Sequence, residues 1–307
     1  MTTAFITHRD CWLHDMGNHH PECPERLSAI KDRLIGARLD QYLQHYEAPL
    51  AEHQQLLRAH TAEHIEHIRA TAPARGIVYL DADTAMSPGT WQAALRAAGA
   101  GVLGVDLVMR DEVKNAFCAV RPPGHHAERG SAMGFCFFNN VAVAARHATD
   151  VWGMKRVAIV DFDVHHGNGT EDILAGDERM LMVGSFQHPF YPYSGDQSTA
   201  ANMFNVPLPA GTRGDVFRAM VAERWLPRLQ DFAPELVLVS AGFDAHREDD
   251  MASLGLVESD YAWVTQQIKQ VAEASAVGRI VSMLEGGYVL SALGRSVEAH
   301  IRVLSGL

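Results

Sequence analysis

Residues 159–169 read IVDFDVHHGNG, an apolar run that breaks into Asp161, Asp163, His165 and His166. The surrounding stretch, RVAIVDF (156–162), has the continuously apolar, β-branched character of a strand buried on both faces. Two carboxylates side by side at the end of such a strand are costly to bury unless a cation lies between them. Period-two alternation would put Asp161, Asp163 and His165 on one side, with Val164 and His166 on the other. Asp163 and His165 can then offer an oxygen and a nitrogen to one ion, with His166 left as a packing residue.

Working outward, similar runs recur at 4–7 (AFIT), 116–120 (AFCAV), 180–186 (MLMVGSF), 236–242 (LVLVSAG) and 279–284 (RIVSML). Helical patterns lie between them, near 24–35, 61–71, 88–110, 138–148, 215–231, 259–275 and 291–304. This alternation predicts an α/β fold, a three-layer α/β/α arrangement with a mainly parallel sheet. The 88–110 helix opens SPGTW, which predicts Ser87 as its cap and Pro88 in its first turn. No linker or repeat divides the chain, so residues 1–307 read as one domain. Five of the strands are followed by polar Gly- or His-rich segments: RPPGHH (121–126), DFDVHHGNG (161–169), QHPFYPYSG (187–195), AGFDAHRED (241–249) and LEGGY (284–288). Ligands bind beyond the carboxyl ends of parallel strands, so all five should meet in one crevice.

The 307 residues are 47% hydrophobic and 21% charged, ordinary for a globular domain with a sizeable core. A net charge of −11 leaves no basic footprint for nucleic acid or an anionic membrane. No apolar run is expected to reach the ~20 residues that cross a bilayer. The start, MTTAFITHRD, lacks the pattern of a signal peptide, which predicts a cytoplasmic protein. Cys11, Cys23, Cys118 and Cys136 form no CxxC pair and read as reduced thiols. Seventeen histidines is a high count and hints at metal or acid–base chemistry.

A catalytic dication needs a third protein ligand and an open position. Asp244 is the best candidate and His246, further into the loop, its competitor. Zinc is the default on geometry, although iron(II), cobalt and manganese suit the same donors. His125 and His126, on a Pro-Gly turn, suit proton transfer beside a dication, with Asp161 and Asn168 as the partners that set their tautomers. Tyr288, after two glycines, can donate its hydroxyl to a developing oxyanion. Phe135, Phe190, Tyr191 and Tyr193 lie beside Gly and Pro, where facing rings make a slot for an aliphatic chain or capture an amine.

From HPECPERL (20–27) through SPGTW, RPPGHH, GFCFFNN (134–140), DFDVHHGNGT and AGFDAH to LEGGY, the chain resembles the zinc-dependent histone deacetylase superfamily. That superfamily has an arginase-like fold and includes acetoin-utilisation proteins and acetylpolyamine amidohydrolases. The Asn of HHGN and the Tyr after EGG are closer to class II and its bacterial relatives. The resemblance implies zinc on Asp163, His165 and Asp244, with His126 as general base beside His125 and Tyr288 polarising the scissile carbonyl. It implies that Phe135 and Tyr191 flank the acyl-lysine tunnel and that Gly134 offers its carbonyl to the substrate amide. A structural potassium would border Asp161, Asp163, His165, Ser185 and Phe186, and Arg26 matches an arginine of an internal acetate channel. Polyamine-selective relatives carry a gatekeeping Glu where this chain has Met251.

These readings predict a zinc-dependent amidohydrolase that removes a short acyl group from lysine ε-amines of proteins or peptides. An acetylpolyamine amidohydrolase is the alternative, kept open by the REDD run (247–250), although charge runs are more often solvated faces. A non-catalytic module that binds acylated ligands is a further one. A homo-oligomer is compatible with either.

Overall fold

The computed structural model describes residues 2–307. Its strands in chain order are β1 (Thr3–Thr7), β2 (Leu43–Glu47), β3 (Val78–Tyr79), β4 (Ala85–Met86), β5 (Asn115–Cys118), β6 (Val157–Asp161), β7 (Met180–Gln187), β8 (Met203–Leu208), β9 (Leu236–Ala241) and β10 (Ile280–Leu284). Eight of them form one sheet in the order β2-β1-β5-β10-β9-β6-β7-β8, with every pairing parallel. The short β3–β4 pair is antiparallel and separate. The six predicted strands are all present. β2 and β8 went unpredicted because they are the two edges, half-exposed and without a continuous apolar run. Pro207 in β8, which cannot donate to a ladder, is tolerated only at such an edge.

Helices Glu25–Gly36, Glu258–Ser275 and Leu290–Ser305 pack together on the sheet, and Thr90–Met109 packs with Asn140–Asp150 in a second helical layer. One continuous apolar core joins both layers to the sheet, so the predicted three-layer α/β/α architecture holds. Two local expectations fail. The helix predicted from 88 begins at Thr90, because Ser87 and Thr90 bond to each other (Ser87 N to Thr90 Oγ1 2.8 Å, Thr90 N to Ser87 O 3.0 Å) and close a turn ahead of it. The same helix, Thr90–Met109, is long and apolar enough to cross a membrane, contrary to the reading of the sequence. Its residues are mostly buried against β5, β10 and its neighbouring helix, where an interior helix is apolar all round. The 215–231 pattern also widens into a π turn at Val221–Trp225 just before Pro227, which lacks the N–H to continue an α-ladder.

The site's position follows from this strand order. β5, β10, β9, β6 and β7 are consecutive neighbours, and the five polar segments follow those five strands. All of them therefore open at one end of one sheet.

Candidate active site

β6 ends at Asp161, earlier than strand alternation required. Asp163 and His165 reach a common point instead through two successive side-chain-to-backbone turns. The amide of Asp163 donates to Asp161 Oδ1 at 3.1 Å, and that of His165 to Asp163 Oδ1 at 2.9 Å. The convergence was expected; its cause is turn chemistry.

Asp163, His165 and Asp244 are each buried, with one ligand atom apiece lying within 4.8 Å of the others. His165 Nδ1 is 3.0 Å from Asp163 Oδ1 and 3.3 Å from Asp244 Oδ2. The remaining carboxylate oxygens are fixed by backbone: Gly286 N donates to Asp163 Oδ2 (2.8 Å), and Val164 N to Asp244 Oδ1 (2.9 Å). Asp244 Oδ2 is buried with no hydrogen-bond donor of its own, an orphaned acceptor aimed at the cluster. A Cβ on Gly286 would lie 1.9 Å from that oxygen, so the residue after Glu285 must be glycine to leave the space. Two acids, one imidazole and a free buried oxygen fit a divalent cation. His246 does not join them; its ring is buried elsewhere, 3.5 Å from Glu258.

Charge in this cluster is opposed by burial. Desolvation first, then Asp163, pushes Asp244 up to about 6. Desolvation also works against a charged His165, but its bond to Asp163 and the charge of the nearby Asp244 outweigh it and raise the imidazole to about 9.

The two other histidines stand in contact, ring centroids 4.0 Å apart, and differ in their partners. His125 Nδ1–H donates to Asp161 Oδ2 at 3.0 Å, while His126 Nδ1 bonds Asn168 Oδ1 at 2.8 Å. Against desolvation, Asp163 and Asp161 raise His125 to about 10. Desolvation, together with His125 and His165, holds His126 well below the usual histidine range. One imidazole is thus stabilised as a cation and its neighbour as a neutral base. Glu285, overlooked in the sequence inside LEGGY, positions the pair: its Oε2 accepts from the amides of Gly124 (2.7 Å) and His125 (3.2 Å).

Tyr288 lines the same cavity as the histidines. Burial first, then Asp244 and Asp163, pushes its hydroxyl well above the ordinary tyrosine value, with Arg26 opposing. Its loop is held from both sides. Asp249 Oδ2 accepts from the amides of Tyr288 (2.7 Å) and Val289 (3.2 Å). Arg26, fully buried, donates to the carbonyls of Gly287 (2.7 Å) and Glu285 and lies 5.0 Å from the Tyr288 ring. Glu22 pairs with both Arg26 and Arg121 beneath. The REDD run therefore is not one solvated face: Asp249 is buried and structural, and Glu248 pairs with Arg295.

Above the floor runs a cavity of about 230 Å³ lined by Phe135, Phe190, Tyr191, Gly134, Met251 and Asp83. Phe135 lies edge-on to Tyr288 with centroids 6.0 Å apart, Phe190 stacks on His165 at 5.5 Å, and Tyr191 meets His126 edge-on at 5.3 Å. Gly134 has φ +56° and a Cβ there would lie 2.5 Å from His126, so glycine is required. Tyr193, expected in the channel wall, is 75% exposed and lines a separate cleft instead. His166 is buried, as expected of a packing residue, yet both nitrogens are bonded, to Ser194 (2.9 Å) and Glu171 (2.8 Å). Ser185 and Phe186 are buried on β7 beside the end of β6, where Gly184 pairs with Asp161. Asp83, also in this lining, had no sequence signal beyond its acidity.

This channel over a buried acid–imidazole cluster at the carboxyl ends of a parallel sheet defines an amidohydrolase-type site. The chain belongs to the histone deacetylase family: the family's histone deacetylase domain matches residues 20–304. A histone deacetylase-like amidohydrolase of Pseudomonas aeruginosa is 35% identical over 99% of this chain and 86% of that protein. The human polyamine deacetylase HDAC10 is 35% identical over the whole chain, which corresponds to 48% of HDAC10. The crystal structure of the HDA15 HD domain superposes with a TM-score of 0.93 at 34% identity, covering 99% of this chain and 90% of that one.

Proposed function

We propose that this protein is a zinc-dependent deacetylase that removes a short acyl group, acetyl first, from the ε-amine of lysine in proteins or peptides. One observation carries the reading: the Asp163–His165–Asp244 cluster, the His125–His126 pair and Tyr288 all meet at the floor of one narrow apolar channel. Asp163, His165 and Asp244 would hold the ion, which when bound supplies Lewis acidity and lowers the pKa of water towards ~7. A structural potassium bordered by Asp161, Asp163, His165, Ser185 and Phe186 belongs to the same proposal.

The chain's own groups do the rest. Phe135, Phe190 and Tyr191 pack the aliphatic stem and exclude water, and the Gly134 carbonyl accepts from the substrate amide. His126, neutral and tied through Nδ1 to Asn168, takes the proton of the attacking water on Nε2. His125, held cationic by Asp161, and the Tyr288 hydroxyl stabilise negative charge on the acyl oxygen. Water oxygen joins the acyl carbon, the C–N bond breaks, a histidine proton goes to the leaving amine, and carboxylate departs. Arg26 beneath Tyr288 keeps its proposed link to carboxylate release.

A second reading, an acetylpolyamine amidohydrolase, is favoured by Asp83, a carboxylate in the channel lining. Met251 argues for lysine, since it lines the wall without charge. Acetyl-lysine peptides assayed beside acetylputrescine and acetylspermidine decide between them, on protein whose metal content is measured. Higher kcat/KM for the peptides is the expected result, and preference for the polyamines would overturn it.

A further inference from the structure

Behind the channel wall, the hydrogen bonding of His126 continues one residue beyond Asn168. Asn168 Nδ2 donates to Glu128 Oε1 at 2.9 Å and lies 3.3 Å from Met133 Sδ. A side-chain amide has an accepting end and a donating end, and the surroundings decide which way round it sits. A carboxylate only accepts, so Glu128 requires the NH2 of Asn168 to face it and sends Oδ1 toward His126. An oxygen at that point in turn requires the proton of His126 on Nδ1, which leaves Nε2 as the free lone pair.

Glu128 is itself fixed. Ser131 Oγ donates to its Oε2 at 3.0 Å, and its amide donates to the Ser131 carbonyl at 2.9 Å. Its carbonyl bonds His60 Nδ1 at 3.0 Å, while His60 Nε2 accepts from Asn139 N at 2.9 Å, so the His60 proton is on Nδ1. Glu128 is half-buried and lines a second cleft of about 670 Å³ with Asn168, His166 and Asp172; it is not among the residues of the substrate channel. It touches neither substrate space nor the acid–imidazole cluster.

We propose that Glu128 is a positioning residue that sets the tautomer of His126 by orienting Asn168. The consequence for catalysis rests on the reading of His126 as the general base; the tautomer itself does not. Outer-shell partners that fix the tautomer of a metal-bound histidine are worth about 10–100-fold in activity, and Glu128, one residue further out, is expected at the lower end of that range.

The test pairs nitrogen-resolved NMR of the His126 ring, which distinguishes Nδ1–H from Nε2–H, with steady-state kinetics on an acetyl-lysine peptide. Glu128→Ala is expected to give a mixture of tautomers and a kcat about tenfold lower at unchanged KM. Glu128→Gln, whose amide oxygen still accepts from Asn168, is expected to recover most of both changes. Asn168→Asp alone sets two carboxylates face to face and should lose more activity than Glu128→Ala. Adding Glu128→Gln to Asn168→Asp restores a donor–acceptor pair and should raise kcat above the single variant. A His126 tautomer unmoved by Glu128→Ala, or a double variant no better than Asn168→Asp, overturns the proposal. A tautomer that shifts while kcat stays constant upholds the positioning role and defeats the general-base reading instead.

Discussion

At the scale of single residues, the site is governed by the cost of burying Asp163 and Asp244 within reach of one imidazole. Without a cation, a proton on His165 does part of that work, which is why its pKa rises to about 9. An imidazole coordinates only when neutral, so below about pH 9 cation uptake would displace this proton, with affinity climbing with pH until that point and then levelling. Zinc added to metal-free protein in weak buffer near pH 7 should release about one proton per ion bound; uptake with no proton release would contradict this account. Tyr288→Phe keeps the ring and deletes the donor. By analogy with the loss of one oxyanion donor, kcat should fall ~10²–10³-fold with KM little changed. A variant with wild-type kcat would remove Tyr288 from the chemistry.

At the scale of elements, the loops after β5, β6, β9 and β10 carry nearly every functional group, and they were legible because each follows a continuous apolar strand. Asp163, His165 and Asp244, the histidine pair with Asp161 and Asn168, and Tyr288 were all named from sequence and are brought together. What escaped notice was the support. Glu285 and Asp249 act on backbone amides of other loops, and no local pattern marks an acid for that role. Tyr193 was misplaced because aromatic spacing on a Pro-rich loop does not tell which rings turn inward. Asp249 offers a test at this scale. Asp249→Ala strands the amides of Tyr288 and Val289, at about 1–3 kcal/mol for buried groups. Thermal unfolding should shift down by several degrees and kcat should drop, with metal content unchanged. Loss of the metal instead would mean that Asp249 supports the cluster and not the tyrosine loop.

At the scale of the whole molecule, the parallel strand order brings five loops to one mouth, and that topology was readable from five strand-then-polar segments. The two edge strands were not readable, because half-exposed edges have neither the periodicity nor the hydrophobicity of buried ones. The net charge of −11 is a global property with a kinetic consequence. Attraction of cationic substrates is screened by salt, so kcat/KM for a basic acetyl-lysine peptide should fall several-fold from ~10 mM to ~0.5 M salt. A neutral peptide should change little, and equal sensitivity of the two would remove steering from the account. The central claim is that the Asp163–His165–Asp244 cluster holds the ion that makes this channel a deacetylase. The most direct measurement is hydrolysis of an acetyl-lysine peptide by protein stripped of metal and then titrated with zinc. Activity lost on stripping and restored in full at one equivalent is the predicted result, and a protein equally active without the ion, or inert with it bound, would contradict the claim.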